Sequence, residues 1–221
     1  MSFAGYYIRV HGVYALAVTV MLLMFSCSGW RHNADFNKSE LKTIRKMNTA
    51  RIAYYMGPRS REIIRLCNLV RNNKPLYFKY VKSRYGEEYV NTSYETASVG
   101  KKQKPILRPS FGLWLSAKSH AVFSGMIAYE GHGGFEFRVF LFGNLNCIFT
   151  TFGENCYYGR MNPAEAMKEW MNSAGHRGNI LQSDFCRTGV AGGFHFEYGY
   201  NRVQIFSGPK LIDLFRLKKL K

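Results

Sequence analysis

The residues that could act as nucleophiles or metal ligands are spaced in ways that exclude two familiar kinds of site. No serine lies in a G-x-S-x-G frame, which a hydrolase of that type needs to present its nucleophile at a sharp turn. The chain has 5 cysteines, and none of them follow the C-x-x-C spacing of a structural zinc cluster. A serine hydrolase and a cysteine-zinc cluster are therefore disfavoured, which leaves histidine and glutamate side chains as candidates.

Four short motifs follow one another in the C-terminal half of the chain. They are Gly153-Glu154-Asn155, the block Trp170–Leu181 that contains Gly175-His176-Arg177, the segment Thr188–Ala191, and Val203-Gln204-Ile205-Phe206. Each motif alone is weak, but four in one order over about fifty residues are hard to obtain by chance. In this order they resemble the CAP domain, the SCP-like extracellular family, in its bacterial type.

The resemblance implies a site. Eukaryotic members of the family bring two histidines and two glutamates into a central cleft that sometimes holds a divalent cation. Carried over by motif, the first histidine is His132, the first glutamate is Glu154 and the second histidine is His176. The second glutamate would fall near Ser173 and is missing.

Two interpretations of that cleft remain open. Imidazole nitrogens and a carboxylate suit a borderline cation, so zinc, magnesium or calcium is the cofactor to test, although the sequence establishes none. A histidine beside a glutamate can also exchange a proton near neutral pH. Alternatively, Glu154 accepts backbone N–H bonds and His176 holds the segment after the Trp170 helix. That bare polar cleft is preferred over a catalytic one, because one fold hosts many functions.

Hydrophobic patterns predict the elements that must position these residues. They indicate helices from Ser39, over 61–71, over 113–128 and from Pro163 to about Ser173, with a strand over 154–158 and a hairpin of 188–195 and 202–206. Residues 72–104 are predicted to be a long connection, and residues 135–151 a mix of strand and loop. The resulting fold class is α+β, an α-β-α sandwich with a mostly antiparallel sheet between helices.

Four polar residues are predicted to have structural roles. His120 is expected to be a hydrogen-bonded core histidine and His195 a strand-edge histidine. Arg177 and Asn179 are expected to satisfy backbone groups in a loop after the Trp170 helix.

The N-terminus has the features of an export signal. An apolar run from Val13 to Phe25 is too short for a spanning helix and suits a signal peptide. It ends at Ser26-Cys27, which resembles a lipobox in which Cys27 is lipidated; a plain cleaved signal and an uncleaved anchor are the alternatives. The predicted organisation is a signal over 1–27, a tether over 28–38, the CAP domain over 39–210 and a basic tail over 211–221.

Export changes what is expected of the cysteines. With Cys27 lipidated, four cysteines remain, and an oxidising compartment permits disulfides among them. Cys147 and Cys156 flank the Gly-Glu-Asn segment and are the pair predicted to join if the chain turns back there. The alternative is that buried cysteines pack as small apolar residues.

The net charge of +17 is unevenly distributed. Residues 31–84 contain 14 Lys/Arg against 3 Asp/Glu, whereas residues 111–200 contain 6 against 7. No nucleic-acid-binding motif accompanies the basic segments, so nucleic acid is not an expected partner. A solvated basic face is the simplest interpretation, and attraction to an anionic envelope surface is the next.

Three functions are consistent with the sequence. The first is a binding module for a lipid, glycan or peptide, exported and held at the membrane by an N-terminal lipid, most like envelope lipoproteins of Bacteroidota. The second is a metal-dependent hydrolase of an envelope peptide or ester. The third is a structural protein that docks to anionic envelope surfaces.

Overall fold

The structure is a computed structural model and describes residues 35–90, 104–143 and 151–209. The chain divides into two compact units, residues 1–42 and residues 43–221. Within the described ranges, no helix is both long enough and apolar enough to cross a membrane. The predictions for Cys27, Cys147 and the tail over 211–221 lie outside the described residues.

Three helices form the first half of the fold. They are α1 (Lys38–Met47), α2 (Pro58–Asn72) and α3 (Lys74–Tyr85), followed by a short 3-10 turn over Glu87–Tyr89. Gly57 caps α2 and Pro58 is its first residue, where a proline loses no helical hydrogen bond. The predicted helix of residues 61–71 is therefore confirmed, and it begins earlier, at Pro58.

The second half supplies the sheet and four more helices. In chain order these are β1 (Arg108–Pro109), α4 (Phe111–Met126), α5 (Phe135–Arg138), a π-helical turn over Val139–Gly143, β2 (Phe152–Tyr158), α6 (Pro163–Asn172), α7 (Ala174–Leu181), β3 (Arg187–His195) and β4 (Gly199–Ser207). Asn162 caps α6, because its side-chain oxygen accepts a 2.9 Å hydrogen bond from the Ala164 N–H. The predicted helix of residues 113–128, the strand, the Pro163 helix and the hairpin are confirmed.

Three predictions about local structure are wrong. Residues 74–85 form a helix within the predicted connection, and its buried residues are nearly contiguous (Leu76, Tyr77, Phe78, Tyr80, Val81), which hides the helical period. Residues 135–143 are helical, not a mix of strand and loop. The loop expected after α6 is the helix α7.

The sheet has the order β1-β3-β4-β2. β3 and β4 form the predicted antiparallel hairpin, with Val190 opposite Gln204. β2 pairs antiparallel with β4, which places Glu154 opposite Ile205, and the two-residue β1 runs parallel to β3. The sheet is mostly antiparallel, as predicted.

Helices cover both faces of the sheet. On one face, Leu113, Ala117 and Ala121 of α4 share a buried cluster with Ala191 and Val203. A Cβ on Gly189 would lie 2.0 Å from the backbone nitrogen of Trp114, so small residues let α4 approach β3 closely. On the other face, Gln204 contacts Cys67 of α2. This arrangement is the predicted α-β-α sandwich.

The Asn68-x-x-Arg71 element ties α2 to the elements around it. The buried Arg71 guanidinium donates hydrogen bonds to the carbonyls of Ile180 at 2.6 Å, Phe185 at 2.7 Å and Pro105 at 2.8 Å. Because this cation has carbonyl partners and no carboxylate, it fixes the end of α7 and the entry to β3 without adding an acidic residue to the core.

Candidate functional site

Glu154 lies in the middle of β2, on the face that α4 covers, and its side chain is only 2% exposed. Both of its carboxylate oxygens have partners within the protein. His132 Nδ1 lies 2.9 Å from Oε1. The Arg138 guanidinium donates to Oε2 at 2.7 Å. The glutamate therefore has a charged partner on each side.

His132 is held by a glycine-rich turn that several side chains fix in place. Gly131 and Gly134 have φ values of +118° and +67°, a region that favours glycine. The Gly131 N–H donates to the Tyr158 hydroxyl at 2.9 Å, and its carbonyl lies 2.9 Å from His120 Nε2. Arg138 also donates to the Gly133 carbonyl. The turn thus presents the His132 side chain, which is 51% exposed, from a fixed backbone.

The ion pair shifts the pKa of both partners. The hydrogen bond that His132 donates to Glu154 raises the pKa of His132 above its usual 6.5, and it outweighs the opposing effect of burial. Burial alone would raise the pKa of Glu154, but the His132 hydrogen bond and the Arg138 charge outweigh it, so this pKa is lowered. His132 therefore holds its proton at higher pH than a free histidine does.

His176 lies in the first turn of α7, close to His132. The two imidazole centroids are 6.3 Å apart, with an angle of 60° between the ring planes. Burial, followed by repulsion from His132, lowers the pKa of His176. The structure thus brings His132, Glu154 and His176 together, and the cleft pairs one imidazole that retains its proton with one that loses it readily.

Two asparagines connect β2 to α7. Asn155 donates to the His176 carbonyl at 3.1 Å, and Asn179 donates to the Glu154 carbonyl at 3.0 Å and to the Asn155 side chain at 2.9 Å. Arg177 donates to the Met171 carbonyl at 2.7 Å. Asn179 and Arg177 therefore satisfy backbone groups, as predicted, although they belong to a helix and not to a loop.

Arg138 is the functional residue that the sequence analysis missed. It is buried in α5, a helix of 4 residues. A buried carboxylate needs a cation, and Arg138 is the single Lys or Arg between His132 and Glu154 in the sequence. That observation could have identified it.

Cys156 and His120 are buried beside the Glu154–His132 ion pair. Cys156 Sγ is 3.7 Å from His132 Nδ1 and 3.4 Å from the Gly131 carbonyl, and burial raises the pKa of this thiol well above its usual value. Ligand atoms of His120, Glu154 and Cys156 lie within 4.8 Å of one another. However, Arg138 contacts the same carboxylate and the thiol keeps its proton, so this buried group does not fit a cation.

The disulfide prediction involves the same cysteine. Cys156 is a thiol in this structure. Its predicted partner, Cys147, lies outside the described residues, so the pairing stays a prediction.

The other two histidines in the part of the chain that the structure describes have structural contacts. His120 is 1% exposed and has the hydrogen bond expected of a core histidine. His195 ends β3 and is fully buried; its Nδ1 accepts from the backbone N–H groups of Glu197 and Tyr198, both at 3.3 Å. Its ring packs 5.2 Å from that of Tyr158, so His195 closes the hairpin and does not join the cleft.

The donor set of the cleft decides which cation it suits. The two Glu154 oxygens are already bonded, so the groups left to a cation are the His132 Nε2 atom and the His176 imidazole. Nitrogen donors suit zinc, whereas magnesium and calcium require oxygen ligands. A metal-binding histidine commonly donates its other N–H to a carboxylate, as His132 does to Glu154. Zinc therefore fits the residues better than magnesium or calcium.

Comparisons with known proteins agree with the sequence motifs. Residues 117–206 match the profile of CAP, the cysteine-rich secretory protein family. An uncharacterized protein, YkwD of Bacillus subtilis, is 50% identical over 60 residues, which are 27% of this chain and 22% of that protein.

Solved structures give weaker similarity. An extracellular protein containing an SCP domain from Bacillus anthracis aligns with a TM-score of 0.46 and 20% identity, over 68% of this chain and 40% of that one. An outer surface protein of Borrelia burgdorferi aligns with a TM-score of 0.41 and 19% identity, over 47% of this chain and 78% of that one. The family match runs from within α4 to β4 and includes the three cleft residues, so residues 117–206 of this chain are similar to the CAP domain of the cysteine-rich secretory protein family.

Proposed function

We propose that the CAP domain is a binding module whose cleft holds an acidic group of a lipid, glycan or peptide between His132 and His176. The observation that carries this proposal is the hydrogen-bonded chain from Arg138 through Glu154 to His132. Arg138 and protonated His132 supply two positive charges and Glu154 one negative charge. The half-exposed imidazolium therefore carries the excess positive charge toward the cleft.

Binding without turnover suits these residues better than hydrolysis does. A general base must reach the proton that it removes, but the Glu154 carboxylate is 2% exposed and has both oxygens bonded. The family's second glutamate would fall near Ser173 and is missing from this chain. The cleft thus has an anion-binding imidazolium and lacks an accessible carboxylate base among these positions.

The test uses three probes, each with an uncharged partner. They are palmitate and its methyl ester, a glucuronic acid oligosaccharide and its methyl ester, and an N-acetyl dipeptide and its amide. We expect at least one acid to shift the imidazole NMR signals of both His132 and His176, and its uncharged partner to shift neither. Because the acid meets an imidazolium, affinity should fall as pH rises through the raised pKa of His132.

Two controls separate the cleft from the rest of the domain. His132→Gln should remove the response, and the buried His195 should show no shift in the wild type. If the acids and their uncharged partners gave the same shifts, or if none of the three acids shifted either histidine, the proposal would be wrong.

A zinc-dependent hydrolase is the second candidate, and the histidine-carboxylate pair is the observation that favours it. Zinc held by His132 and His176 would supply a Lewis acid. Protein purified without chelators should then retain one zinc per chain, and His176→Gln should lose it. Zinc binding should weaken as pH falls through the raised pKa of His132, because a protonated imidazole cannot coordinate a metal. Zinc at the same low level in wild type and variant would contradict this candidate.

We also propose that the domain is exported and that Cys27 anchors it to a membrane, as in envelope lipoproteins of Bacteroidota. The apolar run from Val13 to Phe25 and the Ser26-Cys27 pair that follows it support this proposal.

A further inference from the structure

A cavity of about 510 Å³ lies among α2, the end of α3 and the start of α6. It shares no residue with the histidine cleft. Its lining includes five arginines and one acidic residue: Arg51, Arg59, Arg61, Arg65, Arg84 and Glu62. Five positive charges against one negative charge leave a formal excess of +4. We call this feature the arginine cavity.

Glu62 orients two of the arginines. It is 8% exposed and lies 2.8 Å from the Arg65 guanidinium and 3.8 Å from Arg84 Nε. The Tyr80 hydroxyl donates to Glu62 at 2.8 Å, and its ring lies 5.9 Å from the Arg65 guanidinium and 6.0 Å from that of Arg84. The acidic residue and the tyrosine therefore fix two guanidinium groups in the wall of the cavity.

The other three arginines add charge without an acidic partner in the lining. Arg51 and Arg59 are exposed and Arg61 is half-buried. α2 begins here, its first turn has no acidic residue, and its cap, Gly57, offers no side-chain hydrogen bond. The positive end of the helix dipole thus adds to the arginine charges. Like charges held together repel one another, so the concentration of charge is unfavourable unless an anion offsets it.

We propose that the arginine cavity binds a phosphate-bearing ligand. The planar guanidinium fork matches two oxygens of a phosphate, and arginine clusters recognise phosphate groups in this way. An excess of +4 is more than a single carboxylate can neutralise, whereas a phosphomonoester or a diphosphate carries two or more negative charges. The volume of about 510 Å³ falls within the range of about 300–1,000 Å³ typical of small-molecule sites. The phosphate can belong to a soluble molecule or to a lipid headgroup, and the chemistry of recognition is the same.

The first experiment uses inorganic pyrophosphate and the full chain. Calorimetry at low salt should detect binding, and Arg59→Gln/Arg61→Gln should weaken it at least tenfold. The matched control is Lys104→Gln/Arg108→Gln, which removes the same charge outside the cavity and should change affinity by less than twofold. Far-UV circular dichroism should show that both variants remain folded. Equal weakening by the two variants, or no binding of pyrophosphate to the wild type, would overturn the proposal.

The second experiment identifies the source of the phosphate. Vesicles containing phosphatidic acid are compared with phosphatidylserine vesicles of the same surface charge. Preferential binding to phosphatidic acid that pyrophosphate displaces and Arg59→Gln/Arg61→Gln removes would indicate a lipid headgroup. Binding of pyrophosphate without binding of these vesicles would indicate a soluble ligand.

Residues 1–34 are common to all of these proteins, so the comparison of variants removes their contribution to vesicle binding. Vesicle binding that the double variant retains in full and that pyrophosphate does not displace would exclude a lipid headgroup as the ligand of the cavity.

Discussion

Arg138 donates a 2.7 Å hydrogen bond to Glu154, so the cleft carboxylate is neutralised from within the protein. His132 binds the opposite oxygen of the same carboxylate. A ligand therefore contacts the His132 imidazole, whose proton is stabilised by Glu154 on the protein side, and it does not contact the Glu154 carboxylate. The Arg138–Glu154 ion pair therefore stabilises the site, whereas the His132 imidazole is the group that faces the ligand.

The titration of His132 should depend on Glu154. Because the Glu154 hydrogen bond raises the pKa of His132, the NMR midpoint of His132 should lie above 6.5 in the wild type and should fall in Glu154→Gln. The stabilisation linked to the raised pKa of His132 is complete below pH 6.5 while Glu154 is ionised, and it is lost as pH rises through the raised pKa. Glu136→Gln, which removes an exposed carboxylate from α5, should leave the midpoint unchanged. An unchanged midpoint in Glu154→Gln would contradict the hydrogen bond.

Arg138→Met should destabilise the domain. It leaves the buried Glu154 carboxylate without its cation, a change that costs about 3–5 kcal/mol in other buried pairs. The lowered pKa of Glu154 means that this pair contributes stability above pH 4.5 and loses it as pH falls. The difference in the free energy of unfolding between wild type and variant, measured with urea, should therefore become smaller at acidic pH. Arg138→Met/Glu154→Gln should cost less than the sum of its two single changes, and simple additivity would show that the residues do not interact.

The close approach of α4 to β3 can be tested with an alanine pair. Gly189→Ala would place a Cβ 2.0 Å from the Trp114 backbone nitrogen, so the helix or the strand must move. Overpacking of this kind costs about 1–3 kcal/mol. Gly178→Ala in α7 meets no atom within 4 Å and should stabilise the domain by about 0.5–1 kcal/mol, because alanine favours a helix over glycine. Thermal unfolding should show a lower Tm for Gly189→Ala and a higher Tm for Gly178→Ala than for the wild type. A loss of stability of similar size in both variants would refute the packing argument.

Lipidation can be tested in cells that produce the protein. A palmitate analogue should label the wild type, because Cys27 follows an apolar run and would become the acylated N-terminus. Cys27→Ala should not be labelled. Equal labelling of the two proteins would rule out Cys27 as the lipid attachment site.

The sequence predicted the elements whose hydrophobic period or capping residues are clear. The helix predicted over 113–128 and the helix predicted from Pro163 are examples, and both are confirmed. It missed α3, where aromatic residues obscure the helical period, and α7, where Gly175 and Gly178 oppose a helix prediction. Tertiary packing, and not local sequence preference, determines the helical structure of those two segments.

The residues of the candidate site were likewise only partly predictable from the sequence. The family resemblance was enough to select His132, Glu154 and His176, because each of them matches a residue of the family's pattern. Arg138 lies outside any such segment, and its role depends on a contact with Glu154 across 16 positions of sequence. Such a contact follows from the fold and not from local pattern.

Two consecutive residues of β2 hold the two sides of the cleft. The Glu154 side chain binds His132 on one face of the strand, and the Asn155 side chain binds the backbone of His176 on the other. The His132 side chain and the His176 backbone are therefore both tied to adjacent residues in the middle of β2, an edge strand of the sheet. The cleft is preorganised, so a ligand that fits it would gain affinity without an entropic cost for ordering the backbone.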